Sequence, residues 1–133
     1  MSHSVQPNLE AGGTIRPYRF IKINTGADNQ CLESDANDTI IGVVAGSTRQ
    51  FDSANHAEDG DHVTLQMGSI VMIEAGASIT RGAALESDAD GKATNQTVNT
   101  TSRRIGGFAL ESGSSGEIIR MLWMPYFIRH NLS

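Results

Sequence analysis

In the stretch His62-Val63-Thr64-Leu65-Gln66-Met67 apolar and polar side chains alternate, the period of a strand that turns Val63, Leu65 and Met67 to one face. Gly68 then reads as a bulge or bend, and Ile70-Val71-Met72-Ile73 as a continuation buried on both faces. Upstream, Tyr18, Phe20 and Ile21-Lys22-Ile23 form a β-prone run closed by the turn chemistry of Asn24-Thr25-Gly26-Ala27-Asp28-Asn29. Ile40, Ile41, Val43 and Val44 around Gly42 make a short buried strand, followed by a polar loop from Ser47 to Gly60. The second half adds Ala83-Ala84-Leu85, a polar Thr/Asn-rich segment from Asp88 to Ser102, and strand-like runs at Ile105 to Leu110 and Glu117 to Met124. Three-four spacing among good helix formers is absent, so helix is expected only as a short piece within Ser53 to Glu58. The pattern predicts an all-β chain. Residues 1–13 read as a flexible N-terminal arm, 14–124 as the β domain and 125–133 as a C-terminal tail, because Pro125 lacks the donor that continues a strand.

An internal repeat sharpens this reading. Leu32-Glu33-Ser34-Asp35-Ala36 recurs as Leu85-Glu86-Ser87-Asp88-Ala89, and each copy precedes an Ile-Gly strand, Ile41-Gly42 in one and Ile105-Gly106 in the other. Gly60-Asp61 and Gly116-Glu117 then open the next strand in each half. Two halves of one small barrel or sandwich have this order, although similar turns choosing similar residues independently remains an alternative.

Composition narrows the function classes. At 133 residues the chain has the length of one domain with one core, and a single cysteine, Cys31, admits no internal disulfide. No run of eighteen apolar residues offers a membrane span. The residues after Met1 are polar rather than basic and then apolar, so synthesis and folding in the cytoplasm are expected. A net charge of -5 is the wrong sign for gaining affinity by releasing phosphate counterions, which argues against nucleic acid as a partner.

No catalytic constellation emerges. Asp35-Ala36-Asn37-Asp38 and Asp88-Ala89-Asp90-Gly91 carry oxygen ligands but not the spaced calcium loop, and they read as turns in which Asp and Asn bond their own backbone. His3, His56, His62 and His130 lack zinc spacing, and Cys31 reads as a small buried hydrophobe. Phosphate-cradling and nucleophile-elbow motifs are missing, so neither enzyme activity nor a cofactor nor a metal is expected. The run Met121-Leu122-Trp123-Met124-Pro125-Tyr126-Phe127-Ile128 concentrates aromatic and Met side chains of the kind enriched at interfaces, and a homo-oligomer that buries them is the simplest account.

Taken together, Gly12 to Ile23, Ile41-Gly42-Val43-Val44, Gly60 to Gly68, Ile79-Thr80-Arg81-Gly82-Ala83-Ala84-Leu85 with Asp90-Gly91-Lys92-Ala93, Arg104 to Ala109 and Gly116 to Ile119 resemble the head decoration, or capsid cement, proteins of tailed bacteriophages. The likeness spans about residues 12 to 124 and departs from the family in the His56-containing insert, the Thr94 to Thr101 loop and the segment past Pro125. The resemblance implies a β-barrel or β-tulip module, usually a homotrimer, that binds the major capsid protein on the outer surface of an expanded head through an N-terminal arm. On that basis Val5, Pro7, Leu9, Ile15 and Arg16 are expected at the capsid, and Trp123, Met124, Tyr126, Phe127 and Ile128 at the oligomer interface. A carbohydrate-binding β module on the virion is the alternative, weakened by an aromatic content of only 5%.

Overall fold

The computed structural model describes residues 9–45, 56–98 and 100–128. They form ten strands: β1 Leu9–Ala11, β2 Phe20–Ile23, β3 Gln30–Glu33, β4 Gly42–Val43, β5 His62–Val63, β6 Ile70–Glu74, β7 Ala84–Ser87, β8 Ala93–Asn95, β9 Arg103–Ala109 and β10 Ile118–Ile128. Among the described residues none is helical; the expected helix falls largely outside them, and His56 to Glu58 are extended or irregular. The chain is all-β, in two five-stranded sheets ordered β4-β2-β3-β1-β5 and β6-β10-β9-β7-β8.

Adjacent apolar pairs explain how the sheets share space. Phe20 and Val43, paired across β2 and β4, join a core with Val71, Ile73, Leu85, Ile119 and Met121 of the second sheet. Their neighbours Ile21 and Val44 point the other way, into a second core with Ala11, Ile15, Cys31, Ala57 and Val63. One core was expected from length; two form because the first sheet is buried on both faces. That sheet also curls on itself. Val63 pairs with Leu9 of β1 at one end, while Leu65 bridges Val44 beside β4 at the other, so residues 62–65 close the strands around the second core.

This closure shortens the strand that the alternating pattern predicts over His62 to Met67. Val63 and Leu65 do turn to one core, but Met67 is 73% exposed, and the ladder ends at Gln66, whose backbone N–H donates to Val43 C=O. The Gln66 amide donates to Met72 C=O at 2.6 Å and accepts from Met72 N–H at 2.8 Å, occupying the free edge of β6 as a short surrogate strand. β6 itself alternates: Val71 and Ile73 are buried while Ile70 and Met72 are exposed, so the run is covered on one face rather than two.

β1 lies inside the segment expected to be an arm. Its backbone pairs with β3 and β5, and Ala11 is fully buried. At the other end β10 continues through Pro125 to Ile128, where a tail was expected. The pairing of β10 with β9 slips by one residue between Trp123 and Tyr126, a bulge that contains Pro125. β6 pairs with β10 only as far as Leu122, so beyond that point β10 is an edge and proline's missing N–H breaks no ladder bond.

The repeated pentapeptide has a structural counterpart. Glu33 and Glu86 each accept a bidentate guanidinium, from Arg16 at 2.8 and 3.0 Å and from Arg103 at 2.6 and 2.8 Å. Ser34 and Ser87 are both buried with their hydroxyls bonded to backbone. The copies meet at Phe20, whose C=O accepts from Ser34 N–H and whose N–H donates to Gly91 C=O. Arg19 locks the same junction, reaching Asp90 C=O at 2.9 Å and the Glu74 carboxylate at 3.5 Å, and Lys92 takes the other Glu74 oxygen. Tyr18 completes it at a φ of 59°, donating to Val44 in the first sheet and accepting from Glu74 in the second. That left-handed conformation is costly for a bulky residue and persists because both of its peptide groups are tied down.

Candidate functional site

The two Asp-rich turns are braced by their own backbone. Asp88 Oδ1 accepts from the N–H groups of Asp90 and Lys92, with Gly91 at a φ of 77°, and Asp35 Oδ1 accepts from Ala36 N–H, with Asn37 at 54°. Among the described residues no group of three His, Cys, Asp or Glu side chains is placed to hold a metal. Cys31 is fully buried, and burial pushes its thiol up to about 11. The folded protein holds this proton more tightly than the unfolded chain, so the contribution to stability is present below about pH 9 and lost as the pH rises towards 11. At pH 8 the thiol is held protonated. Ellman's reagent is therefore expected to leave Cys31 unmodified in native protein and to titrate one thiol in denaturant; rapid native modification would contradict the buried placement.

The surface with chemistry to offer lies where β10 runs past β6. Tyr126 and Phe127 are 38% and 50% exposed, Met124 is comparably exposed, and Ile128 is half-buried. The Tyr126 ring stacks on Phe108 with centroids 5.7 Å apart, and the Arg104 guanidinium sits 5.3 Å from the Phe127 centroid. Thr39, Ile40 and Ile41 approach from before β4, and with Arg104, Ile105 and Pro125 to Phe127 they enclose a mainly apolar groove of about 470 Å³. Asn37 anchors one wall: its side chain donates to Ser102 C=O and accepts from Arg104 N–H, and its own C=O takes the Arg104 guanidinium at 3.4 Å. Trp123, expected beside these residues, instead packs half-buried against the first core and lines a smaller cavity with Leu65, Met67 and Val71. The bulge at Pro125 separates the two roles.

The residues expected at the capsid are placed less uniformly. Val5 and Pro7 lie outside the described residues. Leu9 is half-buried against the second core, and Arg16 is held by Glu33 with part of its side chain exposed. Ile15 is a correction: it is fully buried, both of its backbone groups pair with Ala57, and no surface remains for a partner. Its apolar neighbours in the second core outcompete an outward position. Sequence reasoning missed Arg104 and Ile40, whose importance depends on β9 and the segment before β4 meeting in space.

Residues 10–122 match the family model described as phage cement protein, a span that covers both sheets. The chain belongs to the phage cement protein family. A solved structure, the N base of the head fiber gp8.5 in bacteriophage phi29, shares its fold: the TM-score is 0.68 at 19% identity, over 88% of this chain and 91% of that one. No curated protein sequence matches the chain. Membership in a cement family gives a phage-capsid structural role, in keeping with a chain whose acids are spent on turns and ion pairs. Thr39 to Ile41, Arg104 and Ile105 of the groove lie within the matched span, and Pro125 to Phe127 just beyond its end.

Proposed function

We propose that this cement protein attaches to the outer surface of a phage head, binds the major capsid protein and stabilises the expanded shell as a homotrimer, without enzymatic activity. The observation that carries the reading is the family match across both sheets. Each trimer bridges neighbouring capsid subunits, and its separately weak contacts act together through effective concentration to slow shell rupture. Shell contact is assigned to the segment before β1, with Val5 and Pro7 reading the shell and Leu9 and Arg16 flanking it at the surface. Ile15 is buried against Ala57 and takes no part in the shell contact.

Co-sedimentation with expanded shells lacking the protein tests this. Saturable binding with a copy number divisible by three is expected; absence of binding at micromolar concentration would remove the assignment. Deleting residues 1–8 stops short of β1, so the fold is expected to survive while shell binding falls at least tenfold. Removal of residues 1–13 would also take β1 and is the wrong experiment, since Ala11 is core.

The trimer contact is assigned to Met124, Tyr126, Phe127 and Ile128, with Trp123 supporting them from beneath. Leaving this apolar surface exposed is unfavourable, and burying it between copies recovers transfer free energy at about 25 cal/mol per Å². Phe127→Asp places a charge on a half-exposed position, so it is expected to give a folded monomer by sedimentation equilibrium; an unchanged oligomer mass would move the interface elsewhere.

A further inference from the structure

Most cations among the described residues are neutralised internally: Arg16 by Glu33, Arg19 and Lys92 by Glu74, Lys22 by Asp38, Arg103 by Glu86 and Arg120 by Glu111. Arg104 differs. Among the described residues it meets no carboxylate; its guanidinium makes one long bond to Asn37 C=O and otherwise lies over Phe127 at the rim of the apolar groove. In a chain of net charge -5, an uncompensated cation beside an apolar recess is complementary to an apolar side chain that carries a carboxylate next to it.

One described segment of this chain has that chemistry. Among the described residues with strongly exposed large apolar side chains, only Leu110 is followed directly by an acid, Glu111. Both hydrogen bonds that Glu111 accepts, from Arg120 N–H at 3.0 Å and Arg120 Nε at 2.8 Å, fall on Oε2, which leaves Oε1 without a partner among the described residues. Those bonds to Arg120 also hold the Glu111 carboxyl below its usual range, so it is ionised at neutral pH. Leu110 and Arg104 stand at opposite ends of β9, six residues and about 20 Å apart along the strand, too far to meet within one molecule.

We propose that the groove formed by Ile40, Ile41, Arg104, Ile105, Tyr126 and Phe127 receives Leu110 of a second copy, with Glu111 of that copy paired to Arg104. This rests on the self-association reading above and adds its partner segment and register. The contact joins two different patches, one at each end of β9, so every copy in a closed ring both gives and receives it.

Sedimentation equilibrium of the full chain and its variants tests the proposal, with circular dichroism and melting curves to establish folding. Arg104→Glu and Glu111→Arg are each expected to raise the concentration for half-assembly by about 30-fold or more, and the double variant to return to within about threefold of wild type. Leu110→Ala, at an exposed position, is expected to weaken assembly by about tenfold and serves where a charge reversal fails to fold. Wild-type assembly of Arg104→Glu or of Leu110→Ala, or a double variant no better than the weaker single, overturns the contact while self-association stands. A wild-type chain that is monomeric throughout overturns both.

Discussion

Gly107→Ala is expected to lower stability by at least about 3 kcal/mol, read as a fall in the urea midpoint and in Tm. A Cβ at this position would overlap the Leu122 carbonyl oxygen and stand 2.9 Å from its carbon and 3.2 Å from Met121 Cγ. The first two are backbone atoms of β10, directly across the ladder where Trp123 pairs with Gly107 and just before the Pro125 bulge. No rotamer change relieves them, so β9 and β10 must separate. Gly13→Ala is the control, because its Cβ would meet only Leu32 Cδ2 at an ordinary 3.7 Å, and a change within about 0.5 kcal/mol is expected. Equal effects at the two positions would contradict the close approach of β9 and β10.

The second large effect is expected at the repeated glutamate of the second half. Glu86→Ala removes both oxygens from Arg103, whose side chain is only 13% exposed, and leaves a largely buried guanidinium without an anion. A loss of about 3–5 kcal/mol is expected. Replacing both partners, Glu86→Leu with Arg103→Met, is expected to recover most of that loss, since the penalty arises from the stranded charge rather than from the pair's net worth. Asp90→Asn is the contrast: its side chain is 63% exposed and stands 3.9 Å from Arg16, which Glu33 already holds, and no measurable change in Tm is expected. If Glu86→Ala were as silent as Asp90→Asn, the repeat would be a coincidence of turn composition.

Much of the architecture is legible in local pattern because strand formation leaves a period-two trace and turns demand particular residues. The β-prone run ending at Ile23, the Ile-Gly strands and the turns at Asp35 and Asp88 all stand where such reasoning places them. The readings that changed share one cause, which is that each needed to know what lay across from the residue. Met67 alternates correctly with Leu65 yet is exposed, because the ladder ends at Gln66, whose side chain closes the edge of β6. Pro125 sits inside a strand, because β6 has already ended beside it. Ile15 looks like part of an arm in sequence and is core, because Ala57 pairs with it from forty-two positions away.

The candidate surface divides the same way. An aromatic and Met-rich run ending at Ile128 is visible as composition, so the chain announces an apolar surface near its C-terminal end. That Arg104, Ile40 and Ile41 share a groove with it, and that Trp123 turns inward while Phe127 turns outward, follows only from the packing of β9 against β10 and from the bulge between Trp123 and Tyr126.

By itself, then, the amino-acid sequence determined an acidic all-β chain with a repeated Leu-Glu-Ser-Asp-Ala unit and a likeness to capsid cement proteins, since alternation, turn chemistry and charge are properties of neighbouring residues. Only the tertiary structure decided which apolar residues face water and which cations stay uncompensated. Burial and ion pairing depend on residues far apart in the chain, and their energies are set by distances that no local pattern contains.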